Sequence, residues 1–227
     1  MYWQDEESDR TTPITDEVVD LVFSVSGREL PCDHAWPLFE AICEVLPWFG
    51  EDPDHGLHLI DPAPSGNGWY SPTDMAAPTM YLPRRAKLVL RLPKERLEPA
   101  RELQNRKLEI GEHALKTSQA DVRQLSLHTT VNAKHVWSGK EIDSEADFLE
   151  WARRELVAMD IGARRMVVGR TTQMRQGTNV LTTRSLMLAD LKSEESLQVQ
   201  RHGLGAERRL GCGLFTPHKS VRNILGD

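Results

Sequence analysis

Residues 201–219 read RHGLGAERRLGCGLFTPHK. Glycine stands at Gly203, Gly205, Gly211 and Gly213, with Arg208 and Arg209 between the two G-x-G pairs and an apolar Leu214-Phe215 behind them. Glycine loses more freedom on folding than any other residue, so such a cluster marks backbone at positive φ or a close approach by another molecule. Two readings stand side by side. One is a helix stop followed by a tight loop. The other is a phosphate cradle, in which free backbone N–H groups face an anion and the arginines pair with phosphates. The flanks show where the loop lies. Ser193 opens a short helix to about Arg201, and CGLFTP (212–217) reads as a last strand. Helix, loop, strand is the wrong order for a P-loop or a dinucleotide fingerprint.

Working outward from the loop, LSLHTTVNAKHVW (125–137) reads as a strand. Ser144, with Asp147 three residues on, caps a helix to about Met159. ARRMVVGRTT (163–172) and NVLTTRSLMLADL (179–191) are strands joined near Gln176-Gly177. The order is β-α-β-β-α-β. The first half repeats it. VVDLVFSV (18–25) is β-branched and apolar, a strand. Asp33 is positioned to cap a helix to about Leu46, with Pro37 in its first turn and Pro47 closing it. GLHLID (56–61) and RAKLVLRL (85–92) read as strands, 62–78 as a Pro/Gly/Ser loop, 94–104 as a helix, and 106–117 as a strand or a hairpin around Gly111-Glu112. The chain is therefore α+β, two tandem ferredoxin-like (βαββαβ, RRM-like) domains. The expected division is a disordered acidic tail over 1–16, a first domain on the catalytic side over 17–120, and a second domain carrying the glycine loop over 121–227.

The net charge of −6 argues against nucleic acid when taken alone, but its distribution does not. Residues 1–60 hold 14 Asp and Glu against 2 Lys and Arg, whereas the remainder holds 20 acids and 26 bases. Such asymmetry fits a basic binding face. No apolar run reaches the roughly 18 residues of a membrane span, and the acidic N-terminus lacks the apolar region of a signal peptide. Three cysteines with no C-x-x-C pair point to reduced thiols in the cytoplasm and away from a zinc site.

A tandem ferredoxin-like chain ending in G-x-G-x(5)-G-x-G-L-F resembles the CRISPR-associated RAMP proteins, and most of all the Cas-six family of repeat-processing endoribonucleases. SEESLQVQ (193–200) is similar to the helix before the loop in that family. LPCDHAWPLFEAICEVLPW (30–48) and GLHLI (56–60) are similar to the first helix and second strand of the variant that accompanies the myxan subtype of type I systems. The resemblance implies binding of the CRISPR repeat in precursor RNA and one cut per repeat, with neither metal nor cofactor. The 2′-hydroxyl attacks the adjacent phosphate and leaves 2′,3′-cyclic phosphate and 5′-hydroxyl ends. It also implies other Cas proteins of an effector complex as partners. That chemistry needs a base, an acid and positive charge, roles that His and Lys or Arg fill at neutral pH.

The family places its catalytic histidine in the first half, where His34, His58 and His55 are the candidates. His34 begins the expected helix. His58 alternates with Leu57 and Leu59, and so faces away from them. His55 sits in a Pro-Asp-His-Gly turn. Where some relatives carry a histidine just after the first helix, this chain reads Trp48-Phe49-Gly50-Glu51. Tyr70 and Ser71 are candidate partners of the histidine. The expected RNA contacts are Gly203, Gly205, Arg208, Arg209, Gly211, Gly213, Arg201, His202 and Lys219. Lys134, Arg164, Arg165, Arg170, Arg175 and Arg184 are basic positions available to an RNA stem, and Trp36, Trp48 and Trp69 are stacking or core residues. His113, His128 and His135 fall in strands, where surface or core positions explain them. Two other functions remain open: a non-catalytic RNA-binding RAMP subunit, and a ferredoxin-like metabolic enzyme or small-molecule sensor.

Overall fold

Alternation in VVDLVFSVS buries Val19, Leu21, Phe23 and Val25 on one side of strand β1 (Val18–Ser26). The computed structural model describes residues 17–61 and 79–218. The expected tail, the whole 62–78 loop with Trp69, Tyr70 and Ser71, and Lys219 lie outside these residues. After β1 come β2 (Glu29–Pro31), α1 (Ala35–Val45), a 3-10 turn (Pro47–Gly50), β3 (Gly56–His58), β4 (Thr79–Tyr81) and β5 (Lys87–Pro93). α2 is only Leu97–Ala100, between 3-10 turns at Lys94–Arg96 and Arg101–Leu103. The helix expected over 94–104 is thus broken into short pieces, because Pro99 has no N–H to carry a continuous ladder. β6 (Lys107–Ile110) and β7 (His113–Arg123) form the expected hairpin around Gly111-Glu112.

The second half runs β8 (Val131–Val136), α3 (Glu145–Ala158), β9 (Arg165–Gln176), β10 (Asn179–Ala189), α4 (Ser193–His202), a 3-10 turn (Arg208–Leu210) and β11 (Thr216–Pro217). Ser144 caps α3 as expected, its Oγ accepting from the Asp147 N–H at 3.0 Å. Asp33 does not cap α1. The N-cap position is His34, with no side-chain cap, and Asp33 Oδ1 instead accepts from the Arg175 N–H at 3.3 Å.

The first sheet has the order β3-β5-β1-β7-β6 and the second β11-β8-β10-β9, antiparallel throughout. With the main strands of each half numbered along the chain, both sheets read 4-1-3-2, the ferredoxin-like order. β2 and β4 pair as a small separate sheet that the sequence pattern does not foreshadow. Helices cover one face of each sheet. Leu38, Ile42 and Phe49 pack on Leu21, Phe23, Leu88 and Leu90 in the first core. Phe148, Trp151, Leu156 and Val199 pack on Val131, Ala133, Leu186 and Leu188 in the second. β7 continues through Arg123, past the expected boundary at 120, so the connection between the sheets is 124–130. No helix among the described residues is long and apolar enough to cross a membrane.

Candidate active site

The glycine loop turns inward. All four glycines have positive φ, from +66° at Gly213 to +90° at Gly211. Their missing side chains admit the protein's own atoms. A Cβ on Gly203 would lie 2.7 Å from the Gly213 carbonyl, and Cβ atoms on Gly205 and Gly213 would strike the carbonyls of Trp137 and Leu204. Several loop N–H groups are likewise committed to the protein's own carbonyls. Leu204 N–H donates to Gly213 O (3.2 Å), Ala206 to Trp137 O (2.8 Å), Cys212 to Glu207 O (3.2 Å) and Gly213 to His135 O (2.7 Å). These contacts account for the glycines from within the protein. The same bonds explain why CGLFTP yields only a two-residue strand.

Arg208 and Arg209 also have partners inside the protein. Arg208 is 3% exposed and lies beneath Gly203, where burial first and the Arg91 guanidinium second lower its pKa to about 10. Arg209 donates to the Gly50 carbonyl and stacks over Phe39 at 5.7 Å. The loop is the joint between the halves: Gly211 seats Leu59, and Leu214 fills the space beside Gly56. Ala35, Met174, Leu181, Leu210 and Cys212 form a small apolar cluster along this seam. Gly211 also lines a cavity described below. Arg201 is half-buried and His202 exposed, both in the last turn of α4.

A buried charge network backs the seam. Asp20 and Arg91 face each other in register on β1 and β5, and Arg123 faces Asp20 from β7. Arg91 donates to both Asp20 oxygens (2.8 and 3.2 Å), and crosses to the second half to cap the Gln200 carbonyl (3.0 Å) and the Phe215 carbonyl (2.8 Å). Burial works to raise the Asp20 carboxyl. Arg91 and His58 override it and hold the group well below the usual carboxylate range.

The three candidate histidines separate here. His34 is turned inward. Its Nδ1 donates to Pro31 O (3.1 Å), shared with Cys32 O (3.3 Å), and its Nε2 accepts from the Ile60 N–H (3.1 Å). This ring ties α1 to the segment after β3. His55 is fully buried, stacked on Phe49 and edge-on to Trp48, with Nδ1 donating to Phe49 O at 3.3 Å. His58 keeps some access, with 15% of its side chain exposed. Its Nε2 is 3.6 Å from Asp20 Oδ1, and burial first, then Arg91, lower its pKa.

His58 looks across at the second sheet. With Leu59, Asp61, Asn132, Lys134, His135, Gly211, Leu214 and Thr216 it encloses a cavity of about 90 Å³. A neighbouring cavity of about 270 Å³ shares His58, Leu59 and Asp61 and adds Arg85 and Lys87. Lys134 pairs with Asp61 across the cleft. Sequence reasoning sets His135 aside as a strand residue, and Lys134 enters only as one of several basic positions. The signal for them is a β-bulge, which sequence alternation does not reveal. The remaining basic positions lie on or beside the outer hairpin. Arg164, Arg165, Arg170 and Arg175 are exposed, Arg175 facing Asp33 at 3.8 Å, while Arg184 donates to the Asp143 carbonyl. Trp36 packs on Gly177 and Trp48 on Phe49.

The sequence pattern described as Cas6 CRISPR matches residues 19–220, nearly the whole chain. The chain belongs to the Cas6 family. A curated relative, the CRISPR-associated endonuclease Cas6 of Myxococcus xanthus, is 32% identical over 199 residues, which is 88% of this chain and 81% of the relative. A solved CRISPR-associated Cas6 structure superposes with a TM-score of 0.64 at 10% identity, covering 89% of this chain and all of that one. A second, described as a RAMP protein binding different RNA substrates, gives a TM-score of 0.57 at 12% identity, covering 87% and 98%. At those identities the two structures establish the shared Cas6 fold, and the family assignment comes from the sequence matches.

Proposed function

We propose that this Cas6 chain is an endoribonuclease that binds a CRISPR repeat in precursor RNA and cuts it by attack of the 2′-hydroxyl on the adjacent phosphate. The products carry 2′,3′-cyclic phosphate and 5′-hydroxyl ends, and no metal ion takes part. The observation that carries this reading is the cleft between the sheets, where His58 and Lys134 line one cavity from opposite halves. An imidazole moves protons at neutral pH, and an ammonium group stabilises the phosphorane. The name of the Myxococcus xanthus relative, an endonuclease, points the same way. Among the three first-half histidines, His58 is the proton-transfer residue. His34 and His55 are held by main-chain groups and act as supports for the wall. Affinity for the phosphate backbone comes from the exposed arginines along β9.

A second reading, an RNA-binding subunit that does not cut, is favoured by one observation. The segment just after α1, Trp48-Phe49-Gly50-Glu51, holds no histidine, and the Gly50 carbonyl is taken by Arg209. End-labelled repeat RNA incubated with the protein in EDTA separates the two. A single cut that a 2′-deoxy nucleotide before the scissile phosphate abolishes is the expected result. Intact RNA with a clear gel shift would replace the enzyme by the binding subunit.

A further inference from the structure

We propose that His135 is a catalytic residue of this site, the base that takes the proton from the attacking 2′-hydroxyl. The inference rests on the endoribonuclease reading above and adds a residue from the second half to it. Three features of the second sheet carry it.

The first is the bulge in β8. Between the pairs Ala133–Leu186 and Val136–Arg184, β8 advances three residues while β10 advances two. In a regular strand Lys134 and His135 would point to opposite faces. An extra residue on one strand kinks it and re-aims its side chains. Here both residues line the same cavity. The bulge is held from the other edge, where the Gly213 N–H donates to the His135 carbonyl at 2.7 Å.

The second is a hydrogen-bond chain that fixes the ring. Thr183 Oγ1 donates its only proton to the Thr172 carbonyl at 3.0 Å. With that proton on the Thr172 carbonyl, the hydroxyl offers a lone pair to His135 Nδ1, 3.1 Å away. In the proposed arrangement Nδ1 carries the hydrogen, and Nε2 keeps its lone pair. A base oriented by a partner on its far nitrogen is the arrangement that proton abstraction requires. His34 differs, because its Nε2 already accepts from Ile60.

The third is what surrounds the ring. Lys134, Asp61 and His34 are the charged and titratable groups that act on it. Burial first and Lys134 second bring its pKa down to about 4, so the imidazole is neutral and able to accept a proton across the physiological range. His58 lies on the opposite wall of the same cavity.

The step balances with these groups alone. The 2′-hydroxyl proton goes to His135 Nε2 as the O2′–P bond forms. The P–O5′ bond breaks, and O5′ takes a proton from His58. Lys134 turns from Asp61 toward the phosphorane oxygens. No water is consumed, and the two imidazoles end with exchanged protonation.

The test uses the full chain and two repeat RNAs, one natural and one with sulfur replacing O5′ at the bond the unmodified protein cuts. A thiolate leaves without protonation, so the sulfur substrate relieves loss of the acid and leaves loss of the base untouched. His135→Ala and His135→Gln should each slow single-turnover cleavage by about 100-fold or more on both substrates. Binding of a 2′-deoxy repeat should stay within about threefold. His58→Ala should be slow on the natural RNA and largely restored on the sulfur one. Thr183→Val, which removes the orienting acceptor, should fall between. Cleavage by either His135 variant at nearly the unmodified rate would overturn the proposal. So would rescue of both by sulfur, or loss of the folded transition or of repeat binding in both. An unmodified protein that cuts neither RNA would overturn the endoribonuclease reading beneath it, and His135 with it.

Discussion

Asp20 is the one charged residue of VVDLVFSVS and Arg91 the one buried charge of KLVLRLP, and each is buried against the other. That pairing was legible in principle, since a charge inside a buried strand requires a partner. Histidine roles were far less legible. His34, His55, His58 and His135 all have lowered pKa values with burial as the leading cause, and sequence carries no measure of burial. The shift has a sign that can be tested. A histidine whose folded pKa lies below its unfolded value binds fewer protons when folded. Its contribution is complete above about 6.5. It is lost as pH falls through the folded value, about 4 for His135. Urea midpoints should therefore drop steadily between pH 6.5 and pH 4. A flat profile across that window would contradict neutral buried imidazoles. For cleavage, kcat/KM reports the free protein. With His58 as acid and His135 as base, it should peak on the acid side of pH 6.5.

At the scale of elements, the place of the glycine loop is legible in the sequence and its close neighbours are not. Spacing identified a loop between α4 and a last strand. What spacing could not show is the identity of the atoms that approach the glycines, and these belong to Trp137, Leu204 and Leu59. Gly205→Ala and Gly213→Ala each set a Cβ against a backbone carbonyl at positive φ, and should prevent accumulation of folded protein. Gly139 also has positive φ (+82°), but its Cβ would meet only Ala206 at 3.9 Å. Gly139→Ala should cost about 1 kcal/mol in denaturant unfolding. The β9–β10 hairpin invites a different measurement. Replacing exposed Arg164 and Arg170 with Gln should flatten the salt dependence of repeat binding, by about 0.7 to 0.9 in log–log slope for each phosphate left unneutralised. Arg208→Met should chiefly lower stability, because that side chain is 3% exposed.

For the whole molecule, the order of elements was enough to give the fold, since two βαββαβ runs have few ways to close. How the units meet was not legible, because Arg91, Gln200 and Phe215 are far apart in sequence and joined only by the folded chain. Arg91→Met should cost about 3 to 5 kcal/mol, since it leaves the Asp20 charge buried and short of a partner. A shift of the denaturant midpoint without a change of slope would report that loss.

The connection 124–130 is itself pinned to α4. Gln200 holds both the N–H of Ser126 (3.2 Å) and its carbonyl (2.6 Å), and the Leu191 N–H donates to Thr129 O (3.1 Å). A short strap fastened along its length is no hinge. These bonds hold the strap to the second half, and the Arg91 bonds to the Gln200 and Phe215 carbonyls fasten the first half to it. A cleft braced in this way leaves the larger reorganisation to the RNA. Unpairing, unstacking and splaying of the nucleotides at the cut then set the energetic threshold for recognition. A repeat that already presents those nucleotides unpaired meets the site at little cost, whereas one that locks them in a duplex must first melt.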